Sequence, residues 1–190
     1  VFSNIDDSAS DIINTGVHSF SVFKEEYRNK PNNSNSQKEN DVDIIKSAYI
    51  AFNEYSEKLY LNNLNIDENK VFKINEFPEF FSKHPSIWTC LYKRSFLIEN
   101  DISFIEEKDT GWVDNHFSVK SLLLAERIQY VKGAFYHYRV DQSNSSSTLR
   151  EGLVLPYKAS LQVHNFLNEK RIENKEIYRN LAIREWAYIK

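Results

Sequence analysis

The sequence predicts an α/β protein, or α+β in truncated form, and three observations predict it. Strand-like runs of β-branched and aromatic residues at 17–27, 86–92, 128–131 and 134–139 are interleaved with segments of helical spacing. After Glu151 the apolar side chains recur at helical intervals. The 190 residues are 41% hydrophobic and 14% aromatic, enough for one sizeable core with a helical appendage and too apolar for disorder.

Taken in order, residues 1–5 alternate like a short strand and run into a polar turn at Asp6-Asp7-Ser8. Residues 17–27 read as a second strand. Residues 28–40 carry no apolar side chain, which predicts a loop and the start of an insertion reaching about residue 70. Over 41–61 the apolar positions Ile44, Ile45, Ala48, Ala51, Phe52, Tyr55 and Leu59 predict an amphipathic helix, with Asp41 or Asp43 suiting its N-terminal dipole. Residues 71–83 place four phenylalanines around Pro78 and predict an irregular stretch followed by a short helix. A strand at 86–92, a helical turn at 94–100 and a helix over 114–126 follow. Two short strands, 128–131 and 134–139, are expected around Gly133, then a polar loop over 141–148. Helices near 153–168 and 174–189 close the chain. This divides it into a sheet-bearing portion, 1–150, and a helical extension, 151–190. The cations of that extension, Arg171, Lys175, Arg179 and Arg184, are read as a solvated face.

Composition excludes several functions. Lys and Arg total 24 against 27 Asp and Glu, a net charge of -3, so nucleic acid is not an expected partner. Only four glycines occur, in no dinucleotide or phosphate-loop pattern. HExxH and GxSxG are absent. Cys90 is the only cysteine, which rules out an internal disulfide framework and fits a reducing, cytoplasmic setting; the residue itself reads as a small buried hydrophobe. No signal peptide or membrane-spanning stretch is visible. The chain opens on Val1 and holds no methionine, so it reads as a piece of something longer.

The densest chemistry lies between His84 and Ser147. Asp114 stands where a helical pattern begins. The backbone N–H groups of that turn would keep its pKa low or ordinary, suiting either a simple cap or a general base beside Trp112. His137 and Arg139 alternate with Tyr138 and share one strand face. They fit a phosphate clamp with Ser145 and Ser146 behind, or a local ion pair and an edge histidine. Trp88 and Trp112 are either sugar platforms or core. Glu106, Glu107 and Asp109 could pair with Asp114 as in a glycosidase, but read better as a solvated loop.

In combination these blocks resemble the acceptor-side half of family-two glycosyltransferases of GT-A fold, bacterial enzymes that decorate surface polysaccharides. The resemblance rests on Ser86-Ile87-Trp88 with Leu91 to Leu97, on Asn100 to Phe104, and on Gly111-Trp112-Val113-Asp114-Asn115-His116-Phe117. It closes on His137-Tyr138-Arg139 with Asn144-Ser145-Ser146, and covers about residues 84–148. The resemblance implies a parent enzyme that moves a sugar from a nucleotide-diphosphate donor to an acceptor hydroxyl, with inversion. Asp114 would be the general base. His137, Arg139 and Ser145 would touch the diphosphate or its metal, facing Asp114 across a shared cleft. Trp112, Trp88 and His84 would wall the acceptor glycan.

The family's nucleotide-binding half and its Asp-x-Asp metal loop have no counterpart here, since Asp6-Asp7 reads as an ordinary turn. The isolated chain is therefore expected to be inactive and to bind no metal, whereas the parent would use Mg or Mn. Lost sheet partners would favour self-association. The location implied is cytoplasmic or peripheral to the inner membrane face. A non-catalytic carbohydrate- or protein-binding module is the alternative, and a glycoside hydrolase a distant third.

Overall fold

A computed structural model describes residues 12–14, 42–60, 66–68, 70–106, 112–141 and 154–189. The strands expected at 1–5 and 17–27, and the loops at 28–40 and 142–148, lie outside them.

The core of the sheet is β2, Ile44–Phe52, in the segment whose spacing predicts a helix. The correction has a physical cause. Ile44 to Ala48 are all buried, because β2 is covered on both faces and flanked on both edges. That removes the alternation which marks a half-buried strand. What favours a strand here is content rather than period: Ile44, Ile45, Tyr49, Ile50 and Phe52 are β-branched or aromatic. Asn53 then reverses the chain. Its side-chain oxygen accepts the N–H groups of Tyr55 and Ser56, both at 2.8 Å, and β3, Glu57–Tyr60, returns antiparallel to β2. Asp43 caps no helix of its own. Its carboxylate accepts the N–H groups of Glu126 and Arg127 at 2.9 and 3.0 Å, which fixes the far end of the next helix against the sheet.

The six-stranded mixed sheet runs β1-β5-β2-β6-β4, with β3 also on β2. β1 is Ile12–Asn14, β4 Val71–Phe72 and β5 Cys90–Lys93. β6, Ile128–Arg139, is one continuous strand parallel to β2, where the sequence suggests two. The register slips around Lys132 and Gly133, so Gly133 marks an irregularity rather than a break. Residues 71–83 form β4 and two 3-10 turns, Ile74–Glu76 and Pro78–Ser82. Within 86–92 a 3-10 turn, Ile87–Thr89, precedes β5.

Among the described residues there are four α-helices: α1, Arg94–Glu99; α2, Val113–Leu124; α3, Val154–Glu169; and α4, Lys175–Ile189. The two C-terminal helices share the principal core. Val163, Phe166 and Leu167 of α3 and Ile177 and Leu181 of α4 pack in one cluster with Ile44, Phe117 and Ile128. Ser160 donates to Glu185 at 2.7 Å, and the His164 ring lies 3.1 Å from the same carboxylate oxygen, which joins the two helices. Cys90 is free and buried, as a small hydrophobe would be. No helix among the described residues is long and apolar enough to cross a membrane.

Candidate functional site

Asp114 is the second residue of α2, and the cap position belongs to Trp112, held in the left-handed region at φ 71°. A bulky residue adopts that conformation only under local strain of about 1–3 kcal/mol. The Trp112 ring is held by Tyr188 of α4, edge-on at 4.2 Å between centroids. Asn115 fills the angle between them. Its Nδ2 donates to Asp114 Oδ1 and to the Trp112 carbonyl, both at 3.3 Å, while its Oδ1 accepts from Tyr188 Oη at 3.0 Å.

His84 approaches from the loop before the Ile87–Thr89 turn. Its Nδ1 accepts the Ser86 N–H at 3.1 Å and lies 3.0 Å from Ser86 Oγ, so in the neutral ring the proton sits on Nε2. Ser86 is itself left-handed at φ 43°. The loop is fastened from below by Lys46, a cation of the central strand that is only 4% exposed. Its ammonium donates to the carbonyls of Pro85 and Ser86 at 3.1 and 3.4 Å, and to Thr89 Oγ1 at 3.0 Å.

Asp114, His84 and the buried Arg184 of α4 form one electrostatic group. Burial raises the Asp114 pKa above its ordinary value, although His84 and then Arg184 pull it back. The low or ordinary value expected at a helix start is thus corrected: loss of water outweighs the backbone N–H groups. Burial lowers His84, Asp114 opposes that shift, and Lys46 and Arg184 add to it. Burial also lowers Arg184, which Tyr188, Asp114 and Glu185 oppose. Tyr188 is pushed up to about 12, chiefly by burial. The result is a carboxylate closer to neutrality than a surface aspartate, beside an imidazole and a fixed guanidinium. A carboxylate with a raised pKa is a stronger base than a surface aspartate.

Of the residues singled out from sequence, His84, Trp112 and Asp114 come together. His137 and Arg139 do not join them. Tyr136 and Tyr138 pack against Trp88, centroids 4.4 and 4.9 Å apart, the latter pair parallel to within 2°. Beyond the slipped register of β6, His137 pairs with Ile50 and Arg139 with Phe52 of β2. His137 lies against Phe52, and Arg139 binds Asp141 at 2.7 Å with Glu54 at 3.8 Å. The contacts of His137 and Arg139 do not include Asp114, His84 or Trp112. Trp88 belongs to an aromatic stack, with Tyr138 over its ring and Tyr49 edge-on at 4.8 Å. Ser145, Glu107 and Asp109 lie outside the described residues.

The sequence reading missed Lys46, Asn115, Arg184 and Tyr188. Arg184, expected on a solvated face, is 4% exposed. Its signal was present, since Ile177, Leu181, Arg184 and Tyr188 follow one helical stripe, and a cation inside an apolar stripe marks an inward charge.

Among the described residues no group of three or more His, Cys, Asp or Glu could hold a metal ion.

The fold is an α/β arrangement that solved structures share. Solved structures with this arrangement include S. aureus TarS 1-349 in complex with UDP-GlcNAc, which is 17% identical with a TM-score of 0.58 over 86% of this chain and 43% of that one. The same TarS fragment in complex with UDP gives 17% identity and 0.55 over 86% and 41%. S. aureus TarS itself gives 18% and 0.57 over 82% and 25%. The chain thus spans less than half the length of these structures, and the likeness is one of fold. No protein-family profile and no curated protein matches the sequence.

Proposed function

We propose that this chain is the acceptor-side portion of a nucleotide-sugar-dependent glycosyltransferase of GT-A type, acting on a hydroxyl of a surface polysaccharide or glycolipid. The observation that carries the reading is a half-buried carboxylate at the mouth of α2, flanked by His84, Arg184 and Trp112, on a fold like that of a UDP-GlcNAc-binding protein. In the proposed reaction Asp114 accepts the proton of the acceptor hydroxyl as its oxygen bonds to the anomeric carbon. The bond from that carbon to the donor phosphate breaks, and the diphosphate departs from the opposite side with inversion. General-base catalysis of this kind contributes about 100- to 10,000-fold. Trp112 and His84 line the acceptor side, and Trp88 offers only the ring surface that Tyr138 leaves uncovered.

A donor-diphosphate role for His137, Arg139 and Ser145 belongs to the same proposal. For Arg139 it requires exchange of Asp141 and Glu54 for phosphate oxygens. A divalent metal and the donor's nucleotide would be held by residues of the parent enzyme beyond these. The isolated chain is expected to be inactive, cytoplasmic or membrane-peripheral, and prone to self-association through exposed apolar side chains such as Trp186, 60% exposed, and Ile183, 52% exposed. Calorimetric titration of the isolated chain with UDP tests the division of labour. No heat of binding is expected, and micromolar affinity would contradict it.

One observation favours the alternative, a non-catalytic carbohydrate-binding module. Tyr60 stacks on Tyr49 at 5.0 Å and extends the aromatic surface of Trp88, Tyr136 and Tyr138 outward. Glycan binding lost in Tyr60→Ala but untouched in Asp114→Asn would favour that reading.

A further inference from the structure

Helix α4 reaches the mouth of α2 with two side chains one turn apart. Tyr188 donates its hydroxyl proton to Asn115 Oδ1 at 3.0 Å, and the same amide donates from Nδ2 to Asp114 Oδ1 at 3.3 Å. One planar group therefore couples the phenol of α4 to the carboxylate of α2, while the Trp112–Tyr188 contact holds the two helices at that spot. Arg184, four residues earlier, is 4% exposed, and its Nε has no hydrogen-bond partner among the described residues. A guanidinium taken out of water in this way is costly unless its charge is answered nearby. The acidic groups near it are Asp114 and Glu185, and Glu185 is already engaged by Ser160 and His164.

We infer that α4 is the positioning element of the candidate base: Tyr188 orients the Asp114 carboxylate through Asn115, and the buried guanidinium of Arg184 is the positive charge set against it. This rests on the reading of Asp114 as the base, but it makes a claim of its own, that the last helix completes the site instead of appending to it. Neither Arg184 nor Tyr188 is assigned contact with substrate. The charged and titratable groups around the carboxylate are His84 from the loop, with Lys46 behind it on β2, and Arg184, Tyr188 and Glu185 from α4.

The test is a carboxyl-carbon NMR titration of the 190-residue chain, with the Asp114 signal assigned from Asp114→Asn. Arg184→Gln is expected to raise the Asp114 pKa by about one unit or more, the size of effect of a close opposite charge, and Arg184→Lys to restore most of it. Tyr188→Phe is expected to shift the Asn115 side-chain amide signals toward those of a free amide. An Asp114 titration unmoved in Arg184→Gln, or Asn115 signals unmoved in Tyr188→Phe, overturns the inference. Should Arg184→Gln fail to fold, the coupling is read from the other side. Asp114→Asn must then lower the pH at which Tyr188 ionises, and an unchanged tyrosinate titration overturns the link.

The two readings fail separately. Sugar transfer lost in Asp114→Asn, with no change of titration in Arg184→Gln, overturns the positioning and leaves the base. Transfer retained in Asp114→Asn, with the titration shifted, overturns the base and leaves the positioning.

Discussion

The ammonium of Lys46, in the middle of the sheet, lies 3.1 Å from the carbonyl oxygen of Pro85, in the loop that presents His84. A buried cation thereby holds a functional loop by its backbone, and two backbone carbonyls and a threonine hydroxyl depend on it. Lys46→Met keeps an unbranched side chain, one atom shorter, and removes the donor. Leaving those acceptors unpaired is expected to cost about 1–3 kcal/mol, read as a lower urea midpoint with an unchanged slope. Because the Lys46 charge also lowers the His84 pKa, the same variant should raise it. An unchanged midpoint would show that the loop holds itself.

His84 should give the fold a pH dependence of known sign. Its pKa lies below the ordinary 6.5, so near neutrality the unfolded chain binds more protons at this position than the folded one. The stability it contributes is complete above about pH 6.5 and is lost as pH falls through the folded value. Asp114, whose pKa is raised, works the other way: its contribution is complete below about pH 3.9 and is lost as pH rises through its folded value. Urea unfolding at a series of pH values should therefore show His84→Gln losing less stability than the parent on acidification from neutrality. Parallel curves would contradict the assignment.

The C-terminal helices should be inseparable from the rest of the fold. Leu181 is fully buried in the cluster that includes Ile44 and Ile128. Leu181→Ala is expected to cost about 2–5 kcal/mol, by lost transfer energy and the cavity left behind. Circular dichroism during urea unfolding should show one transition at a lower midpoint. Two separate transitions would mean that 151–190 is an independent extension.

Much of this fold was legible in the sequence, and the failures share a cause. Helices α1, α2, α3 and α4 fall close to the expected ranges; α1, α3 and α4 each bury one stripe and expose much of the rest, the condition under which periodicity is informative, whereas α2 has no exposed residue. Strand β2 was misread because burial on both faces erased its alternation, and nothing local announces that β5 and β6 flank it. The continuity of β6 was hidden by Gly133, which reads as a turn but sits at a slipped register. The candidate site divides similarly. His84, Trp112 and Asp114 are close together along the chain in recognisable blocks. Lys46, Arg184 and Tyr188 arrive from distant elements, Lys46 from the central strand and the other two through the packing of α4 against the body of the fold. His137 and Arg139 lie beyond the slipped register of β6, paired with Ile50 and Phe52, a placement no local pattern announces.

The central claim is that Asp114 takes the proton of a sugar acceptor. The direct measurement is transfer from a UDP-sugar by the full-length parent protein carrying Asp114→Asn, with UDP affinity measured on the same sample. The account predicts transfer reduced about 100- to 10,000-fold with UDP affinity unchanged. Transfer at the parent rate would contradict it.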